Sequence, residues 1–214
     1  MLSFALLLPR LFKRIYFYKP CNQQIKVRLA QSSLPFFKYL YKMEQTKEIK
    51  RLQNLHKYQI LDTPGDGYFD EITSLAAKLF NVPIAIITLV DTDRIWFKSS
   101  YGIEVEEIPR DPGLCSSAIL SDDIYVVENA KVDPRTLANP LVAGVLGLQF
   151  YAAAPLKSLE GYNLGTLCII DKIPRTLKGK EVSILMQLSR IVMDHFELKL
   201  QSRLLVKEIQ NTFN

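Results

Sequence analysis

The stretch Gln149–Asp171 reads Q-F-Y-A-A-A-P-L, then K-S-L-E-G-Y-N, then L-G-T-L-C-I-I-D. Two apolar runs of strand length flank Ser158, Glu160, Gly161 and Asn163, residue types that reverse a chain, and this predicts a β-hairpin. Both runs are apolar at nearly every position instead of alternating with polar residues. Such strands are covered on both faces, as in a central sheet position.

The rest of the chain arranges itself around that hairpin. Upstream, the β-branched run Pro83–Val90 turns at Asp91-Thr92-Asp93 into Arg94–Ser100, giving a first hairpin. Pro109, Pro112 and Gly113 mark a loop leading to a short helix over Leu114–Leu120, and Ile124–Val127 reads as a brief edge strand. Residues 128–148 are punctuated by Pro134, Asn139-Pro140, Gly144 and Gly147, and read as a long irregular loop of the kind that carries function. Helical spacing predicts one helix over Glu44–Gln59 and a second with Phe69, Ile72, Leu75, Ala76, Leu79 and Phe80 on one side, ending at Asn81. Beyond Pro174 a long helix runs to about Ile209. Ile184, Leu188, Ile191, His195, Leu198, Ser202, Leu205 and Ile209 recur along it at heptad spacing, which predicts a seam for a second helix, most simply that of another copy of the chain, the alternative being a fold back onto its own domain beside Glu44–Gln59. Helices at both ends of the sequence and tightly connected strands between them predict an α+β fold on an antiparallel sheet.

Composition narrows the function classes. The net charge of +5 misleads, because residues 1–42 hold eight of the 27 basic residues and no acid, leaving 19 basic against 22 acidic residues in the body. A mildly acidic body gives no electrostatic reason to expect nucleic acid as a partner. Cys21, Cys115 and Cys168 with His56 and His195 are too few and too scattered for a zinc site or a disulfide framework, and the expectation is a reduced, cytoplasmic protein. The apolar start M-L-S-F-A-L-L-L is too short to span a bilayer, so no transmembrane segment is expected. The basic, acid-free stretch 1–42 fits an organellar transit peptide, a disordered extension or a start codon assigned too far upstream, with ordered structure expected from Met43.

I-L-D-T-P at 60–64, F-D-E-I-T at 69–73, V-P-I-A-I-I-T-L-V-D at 82–91, W-F-K-S at 96–99, D-P-R at 133–135, N-P-L-V at 139–142, F-Y-A-A-A-P-L at 150–156 and L-G-T-L-C-I-I-D at 164–171 together resemble a GAF domain. The resemblance is to the type found in front of bacterial histidine kinases and diguanylate cyclases, and it covers roughly 44–200. It implies a PAS-like antiparallel sheet with the terminal helices on one face and a small-molecule pocket on the other, under the short helix and the long loop. It also implies a GAF unit over 43–200, with 201–214 as the end of a signalling helix. The cofactor or ligand is unknown, since members of the family bind cyclic nucleotides, bilins, haem or other small molecules. A kinase or cyclase partner in trans is the implied output, because no output domain follows Ile209.

Six residues are candidates for that pocket. Cys115 opens the short helix, where a helix N-terminus can make a thiol more acidic, although a buried filler is the plainer reading. Bilin-binding relatives carry a His after the attachment cysteine where this chain has Ser116, which argues against covalent bilin attachment. Phe150 and Tyr151 alternate on one strand, so one of them faces the pocket. Asp133, Arg135 and Asn139 sit in the long loop, either to hold an anionic or purine-like ligand or to structure the loop itself. Cys168 reads as core.

The sequence lacks G-x-x-x-x-G-K-[ST], G-x-S-x-G and paired-His helix motifs, so the chain is expected to be a sensory, ligand-binding, dimeric module with no catalytic activity. Two alternatives stand beside it. One is a free methionine sulfoxide reductase using Cys115 and Cys168, and the other is a dimerisation scaffold without a ligand.

Overall fold

The computed structural model describes residues 35–136, 139–144 and 146–213. Its elements in chain order are α1 (Pro35–Lys57), α2 (Gly67–Phe80), β1 (Ile84–Val90), β2 (Arg94–Tyr101), β3 (Glu107–Pro109), α3 (Leu114–Ala118), β4 (Tyr125–Val127), α4 (Pro140–Ala143), β5 (Phe150–Lys157), β6 (Asn163–Asp171) and α5 (Gly179–Thr212). The strands form one six-stranded sheet in the order β3-β2-β1-β6-β5-β4, and every neighbouring pair is antiparallel. The two expected hairpins are therefore joined edge to edge through β1 and β6, which are the central strands. All seven residues of β1 and all nine of β6 are buried, as their unbroken apolar runs require.

Strand alternation divides the core in two. On one face Ala85, Ile87, Leu89, Trp96, Phe150, Ala152, Ala154, Leu167 and Ile169 join Leu55 and Tyr58 of α1, Phe69 and Ala76 of α2, and Leu188, Val192 and Phe196 of α5. On the other, Ile84, Ile86, Val90, Ile95, Tyr151, Ala153, Cys168 and Ile170 meet Leu114, Cys115 and Ala118 of α3 and Val142 of α4. Helices thus cover one side of the sheet, and a thin roof of short helices and loops covers the other.

The family-like motifs before and on β2 lock into one another. Between Ile87 and Thr88 the β1–β2 register slips, and this bulge lets two consecutive side chains of β2, Lys98 and Ser99, reach the helix side. Lys98 Nζ donates to Thr63 Oγ1 at 2.8 Å and to the Pro64 carbonyl at 2.9 Å, while Ser99 Oγ donates to Asp70 Oδ1 at 2.6 Å and pairs with Thr73 Oγ1 at 3.0 Å. Helix α2 begins with the Asp66 side chain accepting from the Tyr68 amide and ends at Asn81 in the left-handed conformation, φ 50°.

Three expectations are corrected here. The helix starts at Pro35, so the break expected at Met43 lies inside α1; the transit-like or mis-assigned reading of the segment before it otherwise lies outside the described residues. Glu107–Pro109, expected as loop, pairs with Arg94–Trp96 as an edge strand. The long loop contains the one-turn helix α4. Helix α5 meets the domain through a separate stripe, Leu185, Leu188, Ser189, Val192, Met193, Phe196 and Leu200. Leu188 alone of the expected seam is fully buried, and Ile191, Leu198, Leu205 and Ile209 are exposed.

Exposed ion-paired carboxylates add a modest acid sensitivity to this fold. The Lys57 ammonium holds Glu160 down to about 2, Lys199 lowers Asp66, Arg94 lowers Asp62 and Arg135 lowers Asp133. A depressed folded-state pKa contributes stability above the unfolded-state value and loses it as pH falls toward the folded-state one. The urea midpoint is therefore expected to fall progressively between the ordinary Glu value of 4.5 and about 2. Lys57→Met narrows the dependence at its acid end; an unchanged profile would remove this pair from the explanation.

Candidate functional site

The site lies on the roofed face, where β1, β5, β6 and α3 converge. Alternation sends Tyr151 and Phe150 to opposite sides of β5. Tyr151 faces the roof, whereas Phe150 is enclosed on the helix-packed side, so Phe150 is corrected out of the candidate site. Cys168 of β6 and Cys115 of α3 meet beneath the roof. Both are free thiols, 1% and 5% exposed. Tyr151 Oη donates to Cys115 Sγ at 3.2 Å, Cys168 lies in the same buried cluster, and Thr88 of β1 and Thr166 of β6 are fully buried. Those two threonines are themselves paired across β1 and β6 at 2.9 Å.

This arrangement sets the order of acidity. The Cys168 thiol, followed by the Tyr151 and threonine hydroxyls, lowers the Cys115 pKa by donating to its sulfur, against the opposing effect of burial. Cys168, as donor to Cys115 and buried, is pushed well up, and burial does the same to Tyr151, which stays a protonated donor. Helix α3 is only five residues long, so the acidity of Cys115 comes from neighbouring side chains and not from the helix terminus expected to supply it. Tyr151→Phe is expected to raise the Cys115 pKa and to cost about 1 kcal/mol for the lost bond. The pH dependence of iodoacetamide alkylation at Cys115 measures this, and a profile that does not move would contradict the donor role.

The loop candidates are occupied by the loop itself. Arg135 pairs with Asp133, donates Nη2 to the Val126 carbonyl at 2.7 Å and covers the Tyr125 ring at 4.8 Å, which in turn meets the Tyr151 ring edge-on at 6.1 Å. Asn139 Oδ1 caps α4 by accepting from the Leu141 amide at 2.9 Å, and Nδ2 donates to the Pro112 carbonyl at 2.6 Å, tying the long loop to the segment before α3. Asp133, Arg135 and Asn139 are thus each held by partners within the loop and its neighbours.

Sequence reasoning missed Thr88, Thr166 and Arg110. The threonines are polar residues inside otherwise apolar central strands, which is the signal that could have found them. Arg110 bonds Glu48 of α1 at 2.7 Å, and its carbonyl accepts from Ser116 Oγ of α3 at 2.8 Å, so the roof is linked directly to the N-terminal helix. The histidines stay outside the site. His56 pairs with Asp91 at 3.2 Å, and His195 stacks on Tyr68 with 3.8 Å between ring centroids.

An antiparallel sheet with terminal helices on one face and a roofed thiol, tyrosine and threonine cluster on the other defines an α+β sensory-domain architecture. The chain belongs to the GAF domain family, whose model matches residues 66–194. It is 41% identical over 135 residues to a cyclic di-GMP phosphodiesterase of Pseudomonas aeruginosa; the matched segment is 63% of this chain and 23% of that protein, so the chain spans about a quarter of its relative. Among solved structures it resembles the GAF domain of an Acinetobacter phosphoenolpyruvate-protein phosphotransferase, with a TM-score of 0.51, 17% identity, and 70% of this chain and 92% of that one covered. It also resembles the free methionine-R-sulfoxide reductase of Neisseria meningitidis, with a TM-score of 0.54, 18% identity and coverage of 68% and 87%. At these identities the structural likeness concerns the fold alone.

The phosphodiesterase match corrects one expectation. Missing catalytic motifs led to the expectation that the chain is not an enzyme, yet the relative it matches is named for an enzymatic activity. Among the described residues no helix is long and apolar enough to cross a membrane, and no group of three or more His, Cys, Asp or Glu residues is placed to hold a metal ion.

Proposed function

We propose that this chain is a signalling module that takes a small, largely apolar molecule with a hydrogen-bonding group on the roofed face of its sheet and passes occupancy to an output through its terminal helices. The single observation that carries this reading is the two-faced sheet, with Tyr151, Thr88 and Thr166 as polar groups inside an apolar surround whose rim, Phe97, Ile103, Ile108, Tyr125, Leu141 and Leu146, is only partly buried. The Arg110 link from the roof to α1 supports the relay. Kinases and cyclases are the outputs expected from the sequence, and the Pseudomonas aeruginosa relative adds cyclic di-GMP turnover, in the same polypeptide or in a partner.

Native mass spectrometry of the protein purified from its own host tests this reading. A retained small molecule, released on denaturation, is the expected result. A bare chain under all purification conditions would favour the ligand-free scaffold. The reductase alternative is weakened by the site's charge. A free amino acid is a zwitterion, and the groups around the two thiols, Tyr151, Thr88 and Thr166, are neutral. Turnover of free methionine sulfoxide would restore it.

Dimerisation belongs to the same proposal. Ile191, Leu198, Leu205 and Ile209 are 43%, 62%, 58% and 48% exposed, and their heptad spacing fits the same stripe of a second copy. Light scattering is expected to give the mass of a dimer for the native chain and of a monomer for Leu198→Lys/Leu205→Lys, with helicity retained. A monomeric native chain would remove the dimer.

A further inference from the structure

We propose that Glu48 is the clasp of a conformational switch: one of its oxygens, shared by two guanidiniums, holds the first part of α1 against the body, and letting go frees that part of the helix and loosens the roof with it. Helix α1 lies across the end of the sheet where β1 leaves and β6 enters, since His56 pairs with Asp91 at 3.2 Å and Lys57 with Glu160. Its last turn is anchored. Leu55 and Tyr58 are fully buried in the helix-side core, and the Arg203 guanidinium of α5 donates to the Tyr58 and Gln59 carbonyls. The part ahead of Leu55 is held differently. Its buried or half-buried side chains include Glu48, Arg51 and Asn54. Glu48 Oε1 lies 2.7 Å from Arg110 Nη2 and 2.8 Å from Arg51 Nη2, and Glu48 Oε2 accepts from Arg51 Nε at 2.8 Å.

With Glu48 in place, these are charge-assisted bonds largely out of solvent, because the Arg51 and Arg110 side chains are only 6% and 19% exposed; the screening that weakens surface pairs is small here. Without it, two guanidiniums face each other with no carboxylate between them. Docked α1 also carries unmet hydrogen bonds. Arg51 Nη1 and Asn54 Oδ1 are buried with no partner among the described residues. Solvent satisfies both once the helix lifts, so docking has a cost that the clasp must offset. At its far end the clasp is part of the roof's frame. Arg110 Nη1 donates to the Asp91 carbonyl at 2.8 Å, and the Arg110 carbonyl accepts from the Gly113 amide and from Ser116 Oγ, both at 2.8 Å, at the start of α3. A helix segment held by one shared carboxylate beside a tightly packed sheet is a unit able to open while the rest stays folded. The clasp deepens the relay proposed above and rests on that reading for its purpose. Its opening needs no ligand, so a bare chain in the mass spectrometer counts against the ligand alone, and an unchanged exchange map counts against the clasp alone.

The test is hydrogen–deuterium exchange on the full chain, native and carrying Glu48→Gln, read peptide by peptide. In the native chain, amides of residues 44–54 are expected to exchange by local opening, faster than those of β1 and β6. Glu48→Gln is expected to speed them by about tenfold or more, the effect of losing a charged hydrogen-bond acceptor. It is also expected to speed the peptide covering α3, while β1 and β6 stay as in the native chain. Adding Arg110→Gln removes the stranded cation, so the double variant is expected to exchange more slowly over 44–54 than Glu48→Gln alone. Native exchange over 44–54 no faster than that of β1 and β6, or exchange that Glu48→Gln leaves unchanged, would overturn the proposal. So would a rise confined to α1 with α3 unmoved, or a double variant faster than the single. The first comparison is made on the unmutated chain, so a variant that fails to fold does not shield the proposal.

Discussion

Gly165→Ala is expected to destabilise the fold severely. Gly165 lies in β6 between β1 and β5, opposite Leu89 and Leu156. A Cβ built there would stand 1.8 Å from the Thr88 carbonyl oxygen, 2.8 Å from its carbon and 2.9 Å from Leu89 Cα. All three are backbone atoms of a central strand, so no rotamer change relieves the clash. Overpacking usually costs about 1–3 kcal/mol where side chains can yield. Here the β1–β6 ladder itself must part, and the cost is expected at about 3 kcal/mol or more, a large share of the roughly 5–15 kcal/mol that stabilises a domain. The urea midpoint read by circular dichroism measures this. A loss under 1 kcal/mol would mean that β1 and β6 are not paired in this register.

Phe150→Ala and Tyr151→Phe should behave oppositely although the residues are adjacent. Phe150 is completely buried in the layer that joins β5 to α5, and removing its ring is expected to cost about 3–5 kcal/mol. Thiol reactivity at Cys115 should be unaffected so long as the variant is folded. Tyr151→Phe keeps the ring and most of the stability but alters Cys115. If Phe150→Ala changed Cys115 alkylation in the folded state, or Tyr151→Phe left it unaltered while costing several kcal/mol, the two sides of β5 would be reversed.

Much of this fold was legible from period and punctuation. The continuous apolar runs of β5 and β6 announced strands covered on both faces, and Asn81 marked the end of α2. The edge strand β3 was not, because three residues ending in Pro109 carry no strand signal of their own; β2 supplies the pairing. The stripe of α5 that packs on the domain was not read, because two apolar stripes share that helix, and only tertiary contact distinguishes the one the sheet covers from the one left outside. In the site, Cys115 and Tyr151 were visible as polar or reactive side chains in apolar settings. Their meeting with Cys168 was not, since it depends on how far α3 lies over β6, which no local pattern encodes. Asp133, Arg135 and Asn139 were conspicuous for a different reason, since charged and amide side chains beside prolines mark loop architecture as readily as ligand binding.

The central claim is that one antiparallel sheet separates a helix-packed face from a roofed face on which Tyr151, Cys115 and Cys168 converge. Side-chain nuclear Overhauser contacts on isotope-labelled chain test it most directly. The account predicts that Tyr151 ring protons contact the Cys115 and Tyr125 side chains while Phe150 ring protons contact side chains of α5. Both rings contacting α5, or Tyr151 showing no contact with Cys115, would contradict it.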